Sequence, residues 1–324
     1  MPGMSQALPL PQDAIVDARF LPELEHLAWL MTGPVRLPDG GVLSWFASGG
    51  SGFPYTEAEG LLLSLHAEAR AREPGVLFGP IQADGRRLAN RLEAALDSTG
   101  AVLHRGGRYA FDTAIAAAAL RRWKTVDPTG PDPAPAVAFV RSCLERRIGQ
   151  EGLDDDGHWS RTFGPHLLKA ALALPGDPLV EELAEHFASI CWEGGWFTCH
   201  DATDHVYPHA HAYALEGLLA LRAQGSTAGT HRLAAGLESL LRAAGSDRLS
   251  SDVLAQTIRI CLAMGIPSGD PRVADLDRQL RARSAPGGGI RYSRTSADIN
   301  AWATTFAVQA RRWIRIGASP LHLA

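Results

Sequence analysis

The 324-residue chain is short of lysine and aromatic side chains and has no large charge imbalance. Lys124 and Lys169 are its only lysines among 31 basic residues, and aromatic residues make up 7%. The net charge of −4 gives no electrostatic reason to expect a nucleic acid partner. No segment reaches the roughly 18 consecutive apolar residues that a membrane span needs. We therefore expect neither nucleic acid nor a membrane as a partner.

Cysteine is also scarce, which argues against a disulfide framework. The four cysteines form no CxxC pair, a pattern typical of buried thiols in a reducing compartment. Residues 1–13 lack the basic region and apolar stretch of a secretory signal. These features predict a cytoplasmic protein with a flexible tail over residues 1–13 and a single domain over residues 14–324.

What the chain does contain is a repeated helical unit. Six alanine- and leucine-rich helix patterns, apolar on nearly all sides, begin near Thr56, Ala110, Gly164, Ala210, Asp252 and Asn300. Between them lie amphipathic patterns near residues 14–31, 84–98, 134–148, 178–191, 228–244 and 271–283. A period of about 40 to 55 residues is typical of a repeated supersecondary unit, and a helix that is apolar all round is buried. We predict an all-α (α/α)6 toroid, with an inner and an outer helix in each unit and short hairpin-like loops at one mouth.

Polar side chains cluster where the predicted inner helices begin, and a ring would collect those helix starts at one mouth. The candidates for acid–base catalysis are Tyr55, Glu57, Asp112, His209, His211 and Glu216. The candidates for substrate binding are Trp159, His166, Lys169, Trp196, Tyr213, Asp252, Gln256, Asn300 and Trp302. Several pairs, such as Tyr213 and Glu216, are three or four residues apart and share one helix face.

Structural roles compete with these functional interpretations. Asp112 and Asp252 are equally consistent with residues that stabilise the first turn of a helix. Lys169, in an otherwise apolar helix, would either pair with Asp112 or Glu57 or hold a carboxylate or phosphate of the substrate.

One segment has the composition of a metal site. Residues 199–211 contain one thiol, four imidazoles and two carboxylates, which are metal-ligating groups. Their spacing matches no standard zinc signature. We therefore expect no cofactor, with Cys199 and His200 as the ligands if zinc were bound.

Four segments resemble the (α/α)6-toroid superfamily, namely residues 55–60, 111–113, 209–218 and 300–306. That group includes N-acylglucosamine 2-epimerase-like proteins, the helical domain of glucuronyl C5-epimerases and six-hairpin glycosidases. The resemblance implies a cavity enzyme that acts on a sugar or sugar-like substrate.

Three functional hypotheses follow from this resemblance and from the clustered acids and bases. The first is an epimerase or isomerase in which His209, His211, Glu57 and Tyr55 move protons. The second is a glycoside hydrolase or lyase with paired carboxylates. The third is a non-catalytic toroid that binds a glycan or a protein. The first two predict a small molecule or an oligosaccharide as the partner.

Overall fold

Two layers of helices form the protein. Its computed structural model describes residues 21–47, 49–75, 78–104, 107–148, 164–198, 206–245 and 249–324. The outer helices are α1 (Leu21–Thr32), α3 (Phe78–Ala94), α5 (Ala134–Ile148), α6 (Pro178–Ile190), α8 (Leu233–Ala244) and α10 (Pro271–Arg281). The inner helices are α2 (Thr56–Arg72), α4 (Ala110–Val126), the 3-10 helix Pro165–Leu172, α7 (Pro208–Ala223), α9 (Ser251–Ala263) and α11 (Ala301–Ile316).

The inner helices close into a ring. Each contacts the next along the chain, from α2 through α4, the 3-10 helix, α7 and α9 to α11, and α11 contacts α2 again. The outer helices pack against the outside of this ring, as in the contacts of α3 with α2 and of α10 with α9. The predicted (α/α)6 toroid is therefore confirmed.

Glycines allow the inner helices to approach one another closely. A Cβ atom added to Gly217 of α7 would lie 2.3 Å from the carbonyl oxygen of Leu168 in the 3-10 helix. A Cβ atom at Gly60 of α2 would lie 2.9 Å from the side chain of Ile115 in α4. Neither position can accept a larger residue without a shift of its neighbour, so these glycines allow the inner helices to pack closely.

The third inner segment differs from the predicted α-helix over residues 164–174. Pro165–Leu172 is a 3-10 helix, with Gly164 before it in an extended conformation. A 3-10 helix rises about 2 Å per residue, against about 1.5 Å in an α-helix. Eight residues therefore span a greater length along the helix axis than they would in an α-helix.

Other boundaries shift modestly from the predicted ones. Helix α3 begins and ends earlier than the predicted 84–98, and α8 is preceded by a short 3-10 helix, Thr230–Arg232. The described part of α1 begins at Leu21, and the tail predicted over residues 1–13 lies outside the described residues. No helix in the described part of the chain has both the length and the apolar character that a membrane crossing requires.

Short strands join the two ends of the ring at one mouth. The strands are β1 (Trp45–Ala47), β2 (Gly50–Ser51), β3 (Val102–His104), β4 (Gly107–Tyr109), β5 (Trp192–Glu193), β6 (Trp196–Phe197), β7 (Ile290–Arg291) and β8 (Ile299–Asn300). One antiparallel sheet has the order β2-β1-β8-β7, in which Trp45 pairs with Asn300. Because β1 belongs to the first repeat and β8 to the last, this sheet ties the ring closed where the inner helices begin.

Residues 320–324 fill the opposite end of the lumen. Leu323 and Ala324 are buried, and their backbone oxygens accept hydrogen bonds from side chains of the inner helices. Arg122 of α4 donates to Leu323 (2.5 Å), and Arg259 of α9 donates to Ala324 (3.1 Å). This end of the lumen is therefore occupied by the chain itself.

Candidate active site

A cavity of about 600 Å³ lies at the mouth where the inner helices begin. Its described lining is rich in aromatic rings and in carboxylates. The lining side chains that matter most below are Trp45, Phe53, Tyr55, Glu57, Tyr109, Phe111, Asp112, His166, Tyr207, His209, Asp252, Tyr292 and Trp302. The size lies within the range of small-molecule binding sites.

Seven of the residues predicted from the sequence line this cavity, and each inner segment supplies at least one. They are Tyr55, Glu57, Asp112, His166, His209, Asp252 and Trp302. Several aromatic lining residues, including Trp45 and Tyr292, were not predicted as site residues. Each follows a pair or triplet of glycines shortly before an inner helix, in residues 40–45 and 287–292. This loop pattern is the sequence signal that could have found them, because these loops form the rim of the cavity.

His209 and Asp252 form an ion pair between neighbouring inner helices. Nδ1 of His209 lies 2.9 Å from Oδ2 of Asp252 and 3.1 Å from Oε1 of Gln256. Burial alone would lower the pKa of His209, but the carboxylate of Asp252 outweighs it, so that pKa is raised. Burial would likewise raise the pKa of Asp252, yet its contact with His209 holds that pKa below the ordinary value. The ion pair thus holds the imidazole of His209 in the cavity wall between α7 and α9.

Trp302 completes the surroundings of Asp252. Its indole Nε1 donates to Oδ2 of Asp252 at 3.3 Å, and its ring meets that of Tyr55 edge-on at 5.8 Å. One carboxylate oxygen thus lies close to both an imidazole and an indole N–H. The hydrogen bond fixes the orientation of an aromatic ring in the cavity wall.

Glu57 is held by two phenols. The hydroxyl of Tyr55 donates to Oε2, and the hydroxyl of Tyr213, from the opposite side of the ring, donates to Oε1 at 2.5 Å. Burial, followed by the charge of Glu57, raises the pKa of both tyrosines well above the usual value. Both phenols therefore remain neutral donors to the Glu57 carboxylate at physiological pH.

Asp112 and His166 occupy the wall between Glu57 and His209. Asp112 is buried but lines the cavity, and the N-cap residue of its helix is Tyr109. The ring of His166 lies 4.9 Å from that of Phe111, and burial lowers the pKa of His166 to about 3. The N-cap residue of α9 is Ser250, and Asp252 lies in the first turn of that helix, as Asp112 does in α4. Both aspartates therefore line the cavity from positions where they also stabilise a helix start.

His211 lies on the opposite face of α7 from the cavity. Its Nδ1 accepts from the backbone N–H of Phe197 (2.9 Å), so the proton is on Nε2, which donates to the carbonyl of Gly236 (3.1 Å). The ring of Trp196 packs on it at 4.7 Å. Burial lowers the pKa of His211 to about 4. With both nitrogens engaged away from the cavity, His211 and Trp196 are positioned to support the fold.

Lys169 and Glu216 form a second cluster, deeper in the lumen. The ammonium of Lys169 lies 2.9 Å from Oε2 of Glu216, and Arg259 pairs with the other oxygen. Arg259 also donates to Gln309 at 2.7 Å. All three charged side chains are buried, and none of them lines the cavity described above. Lys169 is therefore paired with Glu216 and not with Asp112 or Glu57.

Two further predicted binding residues support other parts of the site. Gln256 is fully buried behind His209 and contacts its Nδ1. Asn300 is the N-cap residue of α11, and its side chain accepts from the backbone N–H of Ala303 at 2.9 Å. Its backbone is also part of the mouth sheet. Asn300 therefore holds the helix start that carries Trp302.

Three predicted residues, Trp159, Cys199 and His200, lie outside the described residues. Within the described part, no group of three or more histidine, cysteine, aspartate or glutamate side chains is arranged to hold a metal ion. The expectation of no cofactor, with Cys199 and His200 as the ligands if zinc were bound, stays a prediction.

Comparisons with known proteins identify the fold but no family. No family model matches the chain, and neither does any curated protein. Among solved structures it is similar to an unsaturated glucuronyl hydrolase specific for heparin (TM-score 0.66, 10% identity, 91% of this chain and 95% of that one). It is also similar to a family 76 glycoside hydrolase (mannosidase) of Bacteroides thetaiotaomicron (TM-score 0.65, 9% identity, 93% of this chain and 98% of that one). A third similar structure is a sugar epimerase from a ruminal bacterium (TM-score 0.60, 10% identity, 91% of this chain and 99% of that one). At such identities the likeness establishes the toroid fold alone.

Proposed function

We propose that this chain is an enzyme that acts on a sugar by acid–base catalysis, with epimerisation or isomerisation as its reaction. The observation that carries the proposal is the pairing of His209 with Asp252 in a cavity whose opposite wall holds Glu57. The raised pKa of His209 favours its protonated form near neutral pH, so His209 is suited to donate a proton.

Glu57 is the matching proton acceptor. Its helix α2 lies across the ring from α7, which carries His209, and two neutral phenols orient its carboxylate. An acid and a base on opposite walls can remove a proton from one face of a carbon and return one to the other face. That arrangement suits inversion at a carbon next to a carbonyl group.

The aromatic lining supports a sugar as the substrate. Trp302, Trp45 and Tyr292 present flat apolar surfaces beside carboxylates, a combination that fits the C–H faces and the hydroxyl groups of a pyranose. The similar structures include a sugar epimerase and two sugar hydrolases, which also supports a carbohydrate substrate.

Glycosidic bond hydrolysis is the second candidate, and the charge of the lining favours it. The described lining residues include the carboxylates Glu57, Asp112 and Asp252 and no lysine or arginine. Carboxylates stabilise the positive charge that develops on the sugar ring during glycoside cleavage. A glycosidase would use Asp112 or Asp252 together with Glu57.

Mass spectrometry in D₂O distinguishes the two reactions. The protein would be incubated with neutral hexoses, N-acetylhexosamines, uronic acids and neutral oligosaccharides, including α-1,6-linked mannose oligomers. Deuterium gained without cleavage supports the epimerase or isomerase, whereas shortened oligosaccharides support the hydrolase.

The variant His209→Gln, with His231→Gln as the matched control, ties any turnover to this site. His231 is an exposed histidine in the short 3-10 helix before α8. Turnover that survives in His209→Gln, or deuterium exchange lost equally in both variants, would contradict the assignment. Binding of a sugar without exchange or cleavage would instead support a non-catalytic glycan-binding toroid.

A further inference from the structure

Tyr213 is shared between the cavity and the deeper ion cluster. Its hydroxyl donates to Oε1 of Glu57 at 2.5 Å, while the ammonium of Lys169 lies 4.4 Å from the centre of its ring. The cation and the carboxylate therefore contact two sides of one phenol. Tyr213 is fully buried, so water does not screen either contact.

We infer that Lys169 is a positioning residue that acts on Glu57 through the ring of Tyr213. A cation over a π face attracts electron density from the ring. The phenol O–H then becomes a stronger donor, and in a buried network such polarisation passes along the hydrogen bonds. Lys169 thus strengthens the hydrogen bond that orients Glu57 without touching the cavity. The inference rests on the proposed role of Glu57 in catalysis.

The surroundings of Lys169 fix it in this position. Its ammonium is bound by Glu216 and by the backbone carbonyl of Ala324, and Arg259 and Arg122 are the nearby basic groups. Burial lowers the pKa of Lys169 to about 8, although Glu216 opposes that shift. The side chain therefore still carries its charge at neutral pH. The ring of Phe306 lies on its other side, 5.4 Å from the ammonium.

Tyr55 provides an internal control. It donates to the same carboxylate as Tyr213, but its ring packs edge-on against Phe53 (5.2 Å) and Trp302 (5.8 Å). A substitution of Lys169 that acts through the ring should change Tyr213 and leave Tyr55 unchanged. A substitution that merely loosens the fold should change both.

The test is the NMR spectrum of protein labelled with tyrosine at the 13Cζ atom, whose shift reports on the phenol hydrogen bond. With five tyrosines in the chain, Tyr213→Phe and Tyr55→Phe assign the two signals. In Lys169→Met the Tyr213 signal should move toward the position of a free phenol while the Tyr55 signal stays. Lys169→Gln, which keeps a donor for Glu216, should give the same result, and Lys169→Arg should restore most of the original shift.

Two results would overturn the inference: an unchanged Tyr213 signal in both neutral variants, or an equal shift of the two tyrosine signals. This readout needs no turnover, so it is independent of whether the proposed reaction is correct. Once a substrate is known, Lys169→Met should lower kcat by about tenfold with KM unchanged. In protein that already carries Tyr213→Phe, the further change Lys169→Met should not lower kcat again. An additive loss would mean that Lys169 acts by another route.

Discussion

The lumen contains two clusters of buried carboxylates, and they differ in how their charge is balanced. In the deeper cluster Glu216 is paired with Lys169 and Arg259, and Glu68 with Arg72. At the mouth, Glu57 is held by two phenols, and Asp252 by an imidazole and an indole. Tyr213 stands between the two clusters and contacts both.

This difference distinguishes carboxylates that stabilise the fold from carboxylates that are able to take part in a reaction. A buried carboxylate paired with lysine and arginine is neutralised and held in place, because breaking the pair costs several kcal/mol. A carboxylate held by phenols, an indole or an imidazole keeps its capacity to accept a proton or to stabilise a cation. By this criterion the mouth is the reactive region and the deeper cluster holds the ring together.

The largest expected effect falls on activity and comes from the mouth. Replacing His209 by glutamine keeps a hydrogen-bonding group beside Asp252 but removes the titrating nitrogen. We expect turnover to fall about 10²- to 10⁴-fold, with a smaller loss of stability than a change in the deeper cluster causes, because Trp302 still donates to Asp252. Steady-state kinetics and calorimetry on this variant measure both quantities. A large loss of stability with normal turnover would mean that His209 stabilises the fold and takes no part in the reaction.

In the deeper cluster, Glu216→Gln should have its main effect on stability. The change leaves Lys169 and Arg259 buried without their carboxylate, which costs about 3–5 kcal/mol. Urea unfolding measures this loss, and ligand binding at the mouth reports whether the cavity survives. If Glu216→Gln were as stable as the original chain, the deeper cluster would not be a structural element.

A pH experiment compares the two histidines of α7. The pKa of His211 is about 4 in the folded state and near 6.5 in the unfolded chain, so the unfolded chain binds the proton first as the pH falls. Its stabilising effect is present above pH 6.5 and declines by about 3 kcal/mol as the pH falls toward 4. The pKa of His209 is raised in the folded state, so its stabilising effect has the opposite pH dependence. That effect is present at low pH and is lost as the pH rises through the pKa of His209 in the folded protein.

Unfolding curves at several pH values between 7.5 and 4 test this comparison. His211→Gln should show a smaller decline in the free energy of unfolding than the original chain over that range. His209→Gln should not reduce the decline. Equal slopes in the original chain and in His211→Gln would contradict the assignment of His211 to the fold.

The smallest of these effects concerns a single hydrogen bond at the mouth. Tyr55→Phe removes one donor to the Glu57 carboxylate and keeps the ring contacts with Phe53 and Trp302. A hydrogen bond to a charged group contributes about 2 kcal/mol, so turnover should fall by roughly 10- to 100-fold. Kinetics of the variant would measure this. No change in turnover would show that Tyr213 alone orients Glu57.

Much of the fold was predictable because it depends on local pattern. Helices that are apolar all round, repeated at a regular spacing, can bury their surfaces only in a layer covered by a second layer of helices. The 3-10 helix Pro165–Leu172 was not predictable in this way. Its backbone packs tightly against Gly217 of α7, a contact between segments that are distant in the sequence.

The location of the site was predictable from the sequence, but the set of residues that line it was less so. Polar residues at the start of each inner helix meet at one mouth once the ring closes, and Glu57, Asp112, His166, His209 and Asp252 do line the cavity there. Lys169 is only three residues beyond His166, yet it lies below the cavity with Glu216. Its partner comes from another helix 47 residues away, and no local pattern identifies such a pair.

His209 and His211 show most clearly what the sequence determines and what only the tertiary structure determines. Residues two positions apart on an α-helix are separated by about 200° around its axis, so the sequence by itself determined that the two histidines could not share one face, although both were predicted to move protons in the cavity. Which of them would face the cavity depended on the packing of α8 and the β5–β6 hairpin against α7. Gly236 and Phe197 bind both nitrogens of His211 on that side. His209 is left on the lumen side beside Asp252, because only one face of α7 points into the ring.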